Sequence, residues 1–344
     1  MSTEMTRANL ISPEQIVLER ATIPSPGPGQ ALLKVAVAGI CGSDIHAYFG
    51  KHPFISCPVV PGHEFAGTVV AVGPGVRPDL VGQRVTALPS LVCGECFNCR
   101  TGRFNICRSL RVIGCQADGA MAEYVAVPAD KVLPLPEEMS FAEAALVEPL
   151  AVGVHAVRRA GSVAGQRVVV TGAGTIGLLV MQVAKAYGAA EVTVSDLVDF
   201  RLRLAEELGA DQTVDVRQRS LVNWAQQRYG SDGVDVSFEC VGVESTVNDA
   251  ILIARKGSKV VIVGVFEEDV KVKMGLVQDK EIELIGTLMY TREDYAEALR
   301  LLRRGAVRAL PLVTHRFPLS QVAEAFRTIK EEKDKAVKVL LEIE

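Results

Sequence analysis

The sequence predicts an α/β protein in which a doubly wound parallel sheet is inserted into a discontinuous, irregular β domain. Three observations carry this reading. The chain has 344 residues, a little over two domains at roughly 150 residues each. Up to about residue 140, short apolar runs are separated by Gly and Pro; beyond it, β-branched runs alternate with segments of helical length. Finally, Gly172-Ala-Gly-Thr-Ile-Gly177 follows one of those β-branched runs and opens a helical segment, the place where a parallel sheet receives a dinucleotide.

In the first part, strands are expected at 31–37, 59–60, 68–72, 84–87 and 121–127, each closed by turn residues. Residues 141–146 and 151–160 then read as helical. Strands at 168–171, 192–195, 234–238 and 260–263 follow, with helices at 177–187, 200–208, 221–228 and 245–254 between them. Strand and helix alternating at this length indicate a parallel sheet covered on both faces. A helix at 292–304, a strand at 313–317, a helix at 319–332 and a last apolar run at 336–341 complete the chain, and that run is expected to return to the first domain. The expected division is an outer domain of residues 1–150 and 290–344, with a metal lobe at 90–110, and an inner domain of residues 151–289.

Composition excludes several function classes. Lys and Arg number 37 against 41 Asp and Glu, a net charge of -4, so no global positive field exists to hold a nucleic-acid backbone. The longest uncharged window, 168–184, is broken by Gly172, Gly174 and Gly177 and falls short of a membrane span. No apolar leader opens the chain, and a cytoplasmic location is expected. Its eight cysteines are therefore expected to be reduced thiols rather than a disulfide framework.

In the glycine loop, Gly172 permits a tight turn, Gly174 lets backbone approach a pyrophosphate, and Gly177 permits close packing of helix on strand. The helix N-terminus supplies free N–H groups to the phosphates. Asp196 stands nineteen residues past Gly177, where a carboxylate accepts from an adenosine ribose and repels a 2′-phosphate, favouring NAD over NADP. Arg201, five residues on, pulls weakly the other way as a phosphate partner.

Cys93-Gly-Glu-Cys96-Phe-Asn-Cys99, with Cys107 beyond, offers four thiolates in one short loop. Four protein ligands close a tetrahedral Zn²⁺ site and leave no position for substrate, so the expected role is structural. An iron–sulfur cluster is the weaker alternative. Arg100, Arg103, Arg108 and Arg111 surround the lobe, but no paired finger or aromatic ladder accompanies them, so a nucleic-acid reader is not expected. A second metal set is offered by Cys41, His63 and Glu64, with Glu148 further along; three such ligands and a water make a catalytic zinc with an open position.

Taken together, Gly39-Ile-Cys41-Gly-Ser-Asp-Ile-His46, the Gly62-His-Glu-Phe-Ala-Gly67 box, the four-cysteine lobe, Glu148-Pro-Leu and the glycine loop resemble the zinc-dependent medium-chain dehydrogenase/reductase family. The resemblance runs over essentially the whole chain and is nearest to the sorbitol-type polyol, butanediol and L-threonine 3-dehydrogenases. It implies a Rossmann domain inserted in a GroES-like catalytic domain, with one catalytic and one structural zinc per chain. Cys41, His63 and Glu64 would hold the catalytic metal, with Glu148 exchanging into its shell or holding its water. Cys93, Cys96, Cys99 and Cys107 would hold the structural one. Ser43 and His46 match the family's proton relay. Ile176, Asp196 and Arg201 match residues that contact NAD, and Val263, Gly264, Val265, Thr287 and Leu288 match the edges of the nicotinamide pocket.

The reaction implied is hydride transfer from a secondary alcohol, diol or polyol to NAD, in a homotetramer or dimer with no nucleic-acid or membrane partner. Sorbitol-type enzymes carry a Tyr after the relay His and an Arg-Tyr pair that grips the polyol, whereas Ala47 and Met289-Tyr290 stand here. The missing Arg removes a multi-donor clamp for hydroxyls. L-threonine 3-dehydrogenase, a sugar-acid or cyclitol dehydrogenase, and a catalytically silent binding protein remain as alternatives. Tyr48, Phe49, Met289 and Tyr290 are candidates for the substrate wall.

Overall fold

The computed structural model describes residues 3–343. The chain divides into two compact units, one made of Met1–Glu148 with Val313–Glu344 and the other of Pro149–Leu312.

The outer unit is built on Gln30–Ile40, an eleven-residue strand rich in Leu and Val and buried over most of its length. Such a run needs cover on both faces. It lies inside a seven-stranded sheet in the order Val313–Pro318, Lys338–Glu342, Gln30–Ile40, Glu64–Val72, Arg84–Ala87 and Val132–Pro134, and Tyr124–Pro128 also pairs with it. Leu33, Val35, Phe65, Val69, Val85, Val125, Phe326 and Leu341 share its core. The C-terminal strand runs antiparallel to Gln30–Ile40, with Leu340 opposite Gly39, so the last apolar run does return to the first sheet. An antiparallel hairpin, Glu4–Ser12 with Gln15–Thr22, precedes it.

The inner unit holds six parallel strands, numbered here within that unit: β1 (Arg167–Thr171), β2 (Glu191–Asp196), β3 (Gln212–Asp215), β4 (Val234–Glu239), β5 (Ala254–Ile262) and β6 (Glu283–Gly286). Their spatial order is β3-β2-β1-β4-β5-β6. Chain direction across the sheet reverses between β1 and β4, and ligands bind at such switch points beyond the carboxyl ends of the strands. Val168, Val169 and Val170 are fully buried, because helices cover both faces. Leu197, Val241, Val265 and Leu288, which follow the ends of β2, β4, β5 and β6, are instead exposed. Apolar side chains gathered at the carboxyl edge of a sheet suit the faces of an aromatic ligand.

Three expectations need correction. β3 and β6 exist where no strand is expected: Gln-Thr-Val-Asp and Glu-Leu-Ile-Gly are short and partly polar, as edge strands can be. The run 59–60 makes only an isolated bridge to Leu10. Residues 290–312 group with the inner unit rather than the outer. The reason is an ion-pair cluster in which Asp294, on helix Arg292–Arg303, meets His155 and Arg158 of helix Val147–Ala160 at 2.7 Å each.

Candidate active site and metal centres

In the outer unit, Cys41 ends the central strand and caps the helix Gly42–Tyr48, its backbone N–H donating to Asp44 Oδ2 at 2.8 Å. His63 and Glu64 enter from the neighbouring strand, paired so that Glu64 lies opposite Gly39. A side chain at Gly39 is impossible here, since a Cβ would sit 2.0 Å from Glu64 Oε2. The glycine thus makes room for the carboxylate above the backbone. The donor atoms of Cys41, His63 and Glu64 all lie within 4.8 Å of one another.

The electrostatics favour a cation at this point. Burial works against protonation of His63, but Asp44, Cys41 and Cys115 outweigh it and raise the imidazole well above its usual range. Asp44 Oδ1 lies 3.8 Å from His63 Nδ1, and the Cys115 Sγ is 4.0 Å from the same nitrogen. A proton on that ring answers a surplus of negative donors, and a divalent metal answers it better. A thiolate, an imidazole and a carboxylate suit Zn²⁺, and three protein ligands leave its fourth position open.

One residue escaped the sequence reading. Lys338, from the C-terminal strand and only 3% exposed, donates from Nζ to both Glu64 oxygens at 2.7 Å and to the Ile40 carbonyl at 3.1 Å. Burial tends to lower its pKa, but Glu64, Cys41 and Glu148 raise it above the ordinary lysine value. Nothing in the local sequence marks this lysine, because its partner is 274 residues away. Glu148, buried in the first turn of Val147–Ala160, lies outside the group of three donors but is felt by the same ammonium. Ser43 and His46 stand three residues apart on Gly42–Tyr48, hence on one face of the helix, and both are half-buried.

The second cluster is compact. Cys93, Cys96, Cys99 and Cys107 bring their sulfurs within 4.8 Å of one another, with Cys93 to Cys107 at 3.5 Å and Cys93 to Cys99 at 4.0 Å. The edge of a tetrahedron with Zn–S bonds of ~2.3 Å is about 3.8 Å, so the spacing fits that ion. Backbone amides of Cys93 and Ser109 donate to Cys107, and that of Cys96 to Cys93, each at 3.4 Å. The Arg108 and Cys99 amides hold Cys96 down to about 6, whereas burial and the neighbouring thiols push Cys99 up to about 12. Four thiols at this distance cannot all ionise without a cation among them.

The inner unit presents the glycine loop as expected. Gly172 follows β1 at φ +92°, and a Cβ on Gly177 would fall 1.8 Å from its carbonyl oxygen. Gly174 caps helix Thr175–Ala186, which carries Ile176 in its first turn. Asp196 ends β2 on the rim of the loop, where Oδ2 accepts from the Ala173 amide at 2.6 Å and Oδ1 from Val198 at 2.8 Å. Arg201 is half-buried in the first turn of helix Asp199–Glu207. Val263, Gly264 and Val265 follow β5, and Thr287 and Leu288 follow β6, so the five residues share the carboxyl edge of the sheet. The expected substrate wall is only partly open: Tyr290 is 1% exposed and packs on Tyr295, which makes it a core residue, and Tyr48 packs on Phe326.

Comparison with known proteins agrees with both units. A family model described as alcohol dehydrogenase GroES-like domain matches residues 27–137, and one described as zinc-binding dehydrogenase matches residues 175–304. A sorbitol dehydrogenase of Bacillus subtilis is 32% identical over 98% of this chain and 97% of its own. An L-idonate 5-dehydrogenase of Vitis vinifera is 35% identical over 94% and 91%. Among solved structures, a zinc-binding dehydrogenase of Sinorhizobium meliloti with NADP bound superposes with a TM-score of 0.92 at 35% identity, covering 99% of this chain and 100% of that one. Two family models in the order of the two units, relatives similar from end to end, and two cysteine-containing donor sets brought together by the fold leave one conclusion: the chain belongs to the zinc-dependent alcohol dehydrogenase family, close to the polyol dehydrogenases.

Proposed function

We propose that the protein oxidises a secondary alcohol, diol or polyol to the ketone with NAD, using the Cys41, His63 and Glu64 site. The observation that carries this is the convergence within 4.8 Å of three donors of different chemistry, the buried His63 and Glu64 and the half-buried Cys41, a set with an open fourth ligand position rather than a closed one. Zn²⁺ held there supplies a Lewis acid that lowers the pKa of the substrate hydroxyl, and NAD supplies the hydride acceptor.

The chain's own residues do the rest. Ser43 Oγ takes the hydroxyl proton, and His46, one helical turn further on, passes it towards solvent. Lys338 neutralises Glu64 from behind and holds its carboxylate in the donor group. Glu148 stands by as an exchanging ligand or as acceptor for the bound water. In the inner unit, Gly172, Gly174, Ile176 and Gly177 cradle the pyrophosphate, and Asp196 and Arg201 receive the adenosine ribose. Val263, Gly264, Val265, Thr287 and Leu288 line the nicotinamide and exclude water from it. Asp196 favours NAD over NADP by repelling a 2′-phosphate. Cys93, Cys96, Cys99 and Cys107 hold a structural Zn²⁺.

Likeness to an L-idonate 5-dehydrogenase favours a second reading, oxidation of a sugar acid, and L-threonine 3-dehydrogenase and cyclitol dehydrogenase belong to the same branch. The test is a panel of vicinal diols, alditols, cyclitols, sugar acids and L-threonine, followed by NADH formation. Turnover of diols or alditols supports the first reading, turnover of sugar acids alone replaces it with the second, and no turnover with the zinc-loaded protein points to a silent family member. No helix among the described residues is long and apolar enough to cross a membrane. We propose a cytoplasmic homo-oligomer, tetramer or dimer, a state that light scattering on the purified protein measures.

A further inference from the structure

We propose that Glu239, a residue to which the reading above gives no role, is the positioning residue for the nicotinamide half of the cofactor site. It ends β4 at the switch point of the sheet and is fully buried. Three donors converge on one of its oxygens: the amides of Val241 and Gly242, at 2.9 Å each, and the Thr246 hydroxyl at 2.7 Å donate to Oε1. Its backbone carbonyl accepts from the amides of Val263 and Gly264 at 2.8 and 2.9 Å. One residue therefore fixes two loops, the turn after β4 and the turn after β5.

The two loops are also in backbone contact. A Cβ on Gly264 would lie 2.3 Å from the Gly242 amide nitrogen and 2.8 Å from Glu239 Oε2, and one on Gly242 would lie 2.4 Å from the Val265 carbonyl oxygen. On the other side, Val241 Cγ2 is 2.7 Å from the Cβ position of Gly172. Movement of the 240–246 turn therefore displaces the Val263–Val265 edge. Glu239 Oε2 is buried and has no hydrogen-bond partner among the described residues. A buried polar atom left unpaired is costly, and fold stability alone does not call for a carboxylate here. What the carboxylate adds is an acceptor strong enough to gather two amides and a hydroxyl in one place.

The inference rests on the NAD reading of the inner unit. The adenosine half is assigned to the glycine loop and Asp196, to which no hydrogen bond of the Glu239 carboxylate runs, so the two halves can be probed separately. In Glu239→Gln the amide oxygen must take the Oε1 position to satisfy three donors. Its NH₂ then occupies the Oε2 position, where no acceptor waits. The experiment is titration of the zinc-loaded protein with NADH and with ADP-ribose, which lacks the nicotinamide, by calorimetry. Expected for E239Q is a loss of NADH affinity of about tenfold, equivalent to about 1.4 kcal/mol, with ADP-ribose changed by less than about twofold. Thr246→Val removes one donor and keeps the carboxylate; it should move NADH affinity the same way by a smaller factor, and it carries the test alone if E239Q does not fold. Unchanged NADH affinity in the folded variants, or equal losses for NADH and ADP-ribose, overturns the proposal. A wild-type protein that binds neither ligand overturns instead the NAD reading beneath it.

Discussion

At the scale of single residues, two buried carboxylates, Glu64 and Asp294, do different work. Lys338 and Glu64 lie 2.7 Å apart and are almost wholly buried. Removing one partner of such a pair strands a charge in a dry site, at about 3–5 kcal/mol. Lys338→Met is expected to lower the melting temperature of EDTA-treated protein strongly and that of zinc-loaded protein less, because the metal then compensates Glu64. Equal shifts in the two forms would show that Lys338 is only structural. Asp294 belongs to the inner unit. Burial pushes its carboxyl up, but hydrogen bonds from His155, the Thr291 amide and hydroxyl, and Arg158 prevail and hold it at about 2. Since its folded pKa lies below the unfolded one, its stabilisation is full above pH ~4 and is lost as pH falls towards 2. Holding this carboxyl at about 2 instead of its ordinary value corresponds to about 2.5 kcal/mol, reduced to about 1–2 by solvent screening of the half-exposed Arg158. Asp294→Asn should therefore unfold more easily at pH 7, with the difference shrinking in denaturant titrations taken down through pH 4 to 2. Thr291 apart, these partners are not visible locally in sequence, since His155 and Asp294 are 139 residues apart.

Among elements, the glycine loop and the cysteine lobe were legible because their signals lie in neighbouring residues of the sequence. Gly172, Gly174, Gly177 and Asp196 sit where a strand, a turn and a helix need them, and the fold places them so. Gly177→Ala pushes a Cβ into the Gly172 carbonyl, so the loop must open; NADH affinity should fall by at least tenfold, about 1.4 kcal/mol, as read by fluorescence titration. Cys107→Ser should release the structural zinc and lower the melting temperature while NADH still binds, since the lobe belongs to the other unit. Strands with β-branched runs, such as Val168-Val-Val, are also readable. The two unexpected strands are edges of the sheet, where Glu283 faces water, Gln212 is only half-buried and the apolar signal fades. The short helix Gly42–Tyr48 carries glycine, serine and aspartate in its first turn, a composition equally at home in a turn.

For the molecule as a whole, the sequence patterns separate two kinds of work along one chain. The donors we propose for metal come from the first segment, and Lys338 of the last segment reaches Glu64 when Lys338–Glu342 pairs with Gln30–Ile40, while the nucleotide contacts we propose come from the middle. The boundary near 290 was misplaced because helix Arg292–Arg303 has an amphipathic pattern that fits either unit; long-range contacts decide it, among them those of Asp294 with His155 and Arg158 and of Arg308 with Gln182. Substrate identity is the least legible property, since no motif in the sequence encodes it. If Cys41 binds one zinc and the cysteine lobe another, plasma mass spectrometry of the purified protein should find two zinc ions per wild-type chain and one in Cys41→Ser. A single zinc in the wild type, unchanged by Cys41→Ser, would show that Cys41 holds no metal.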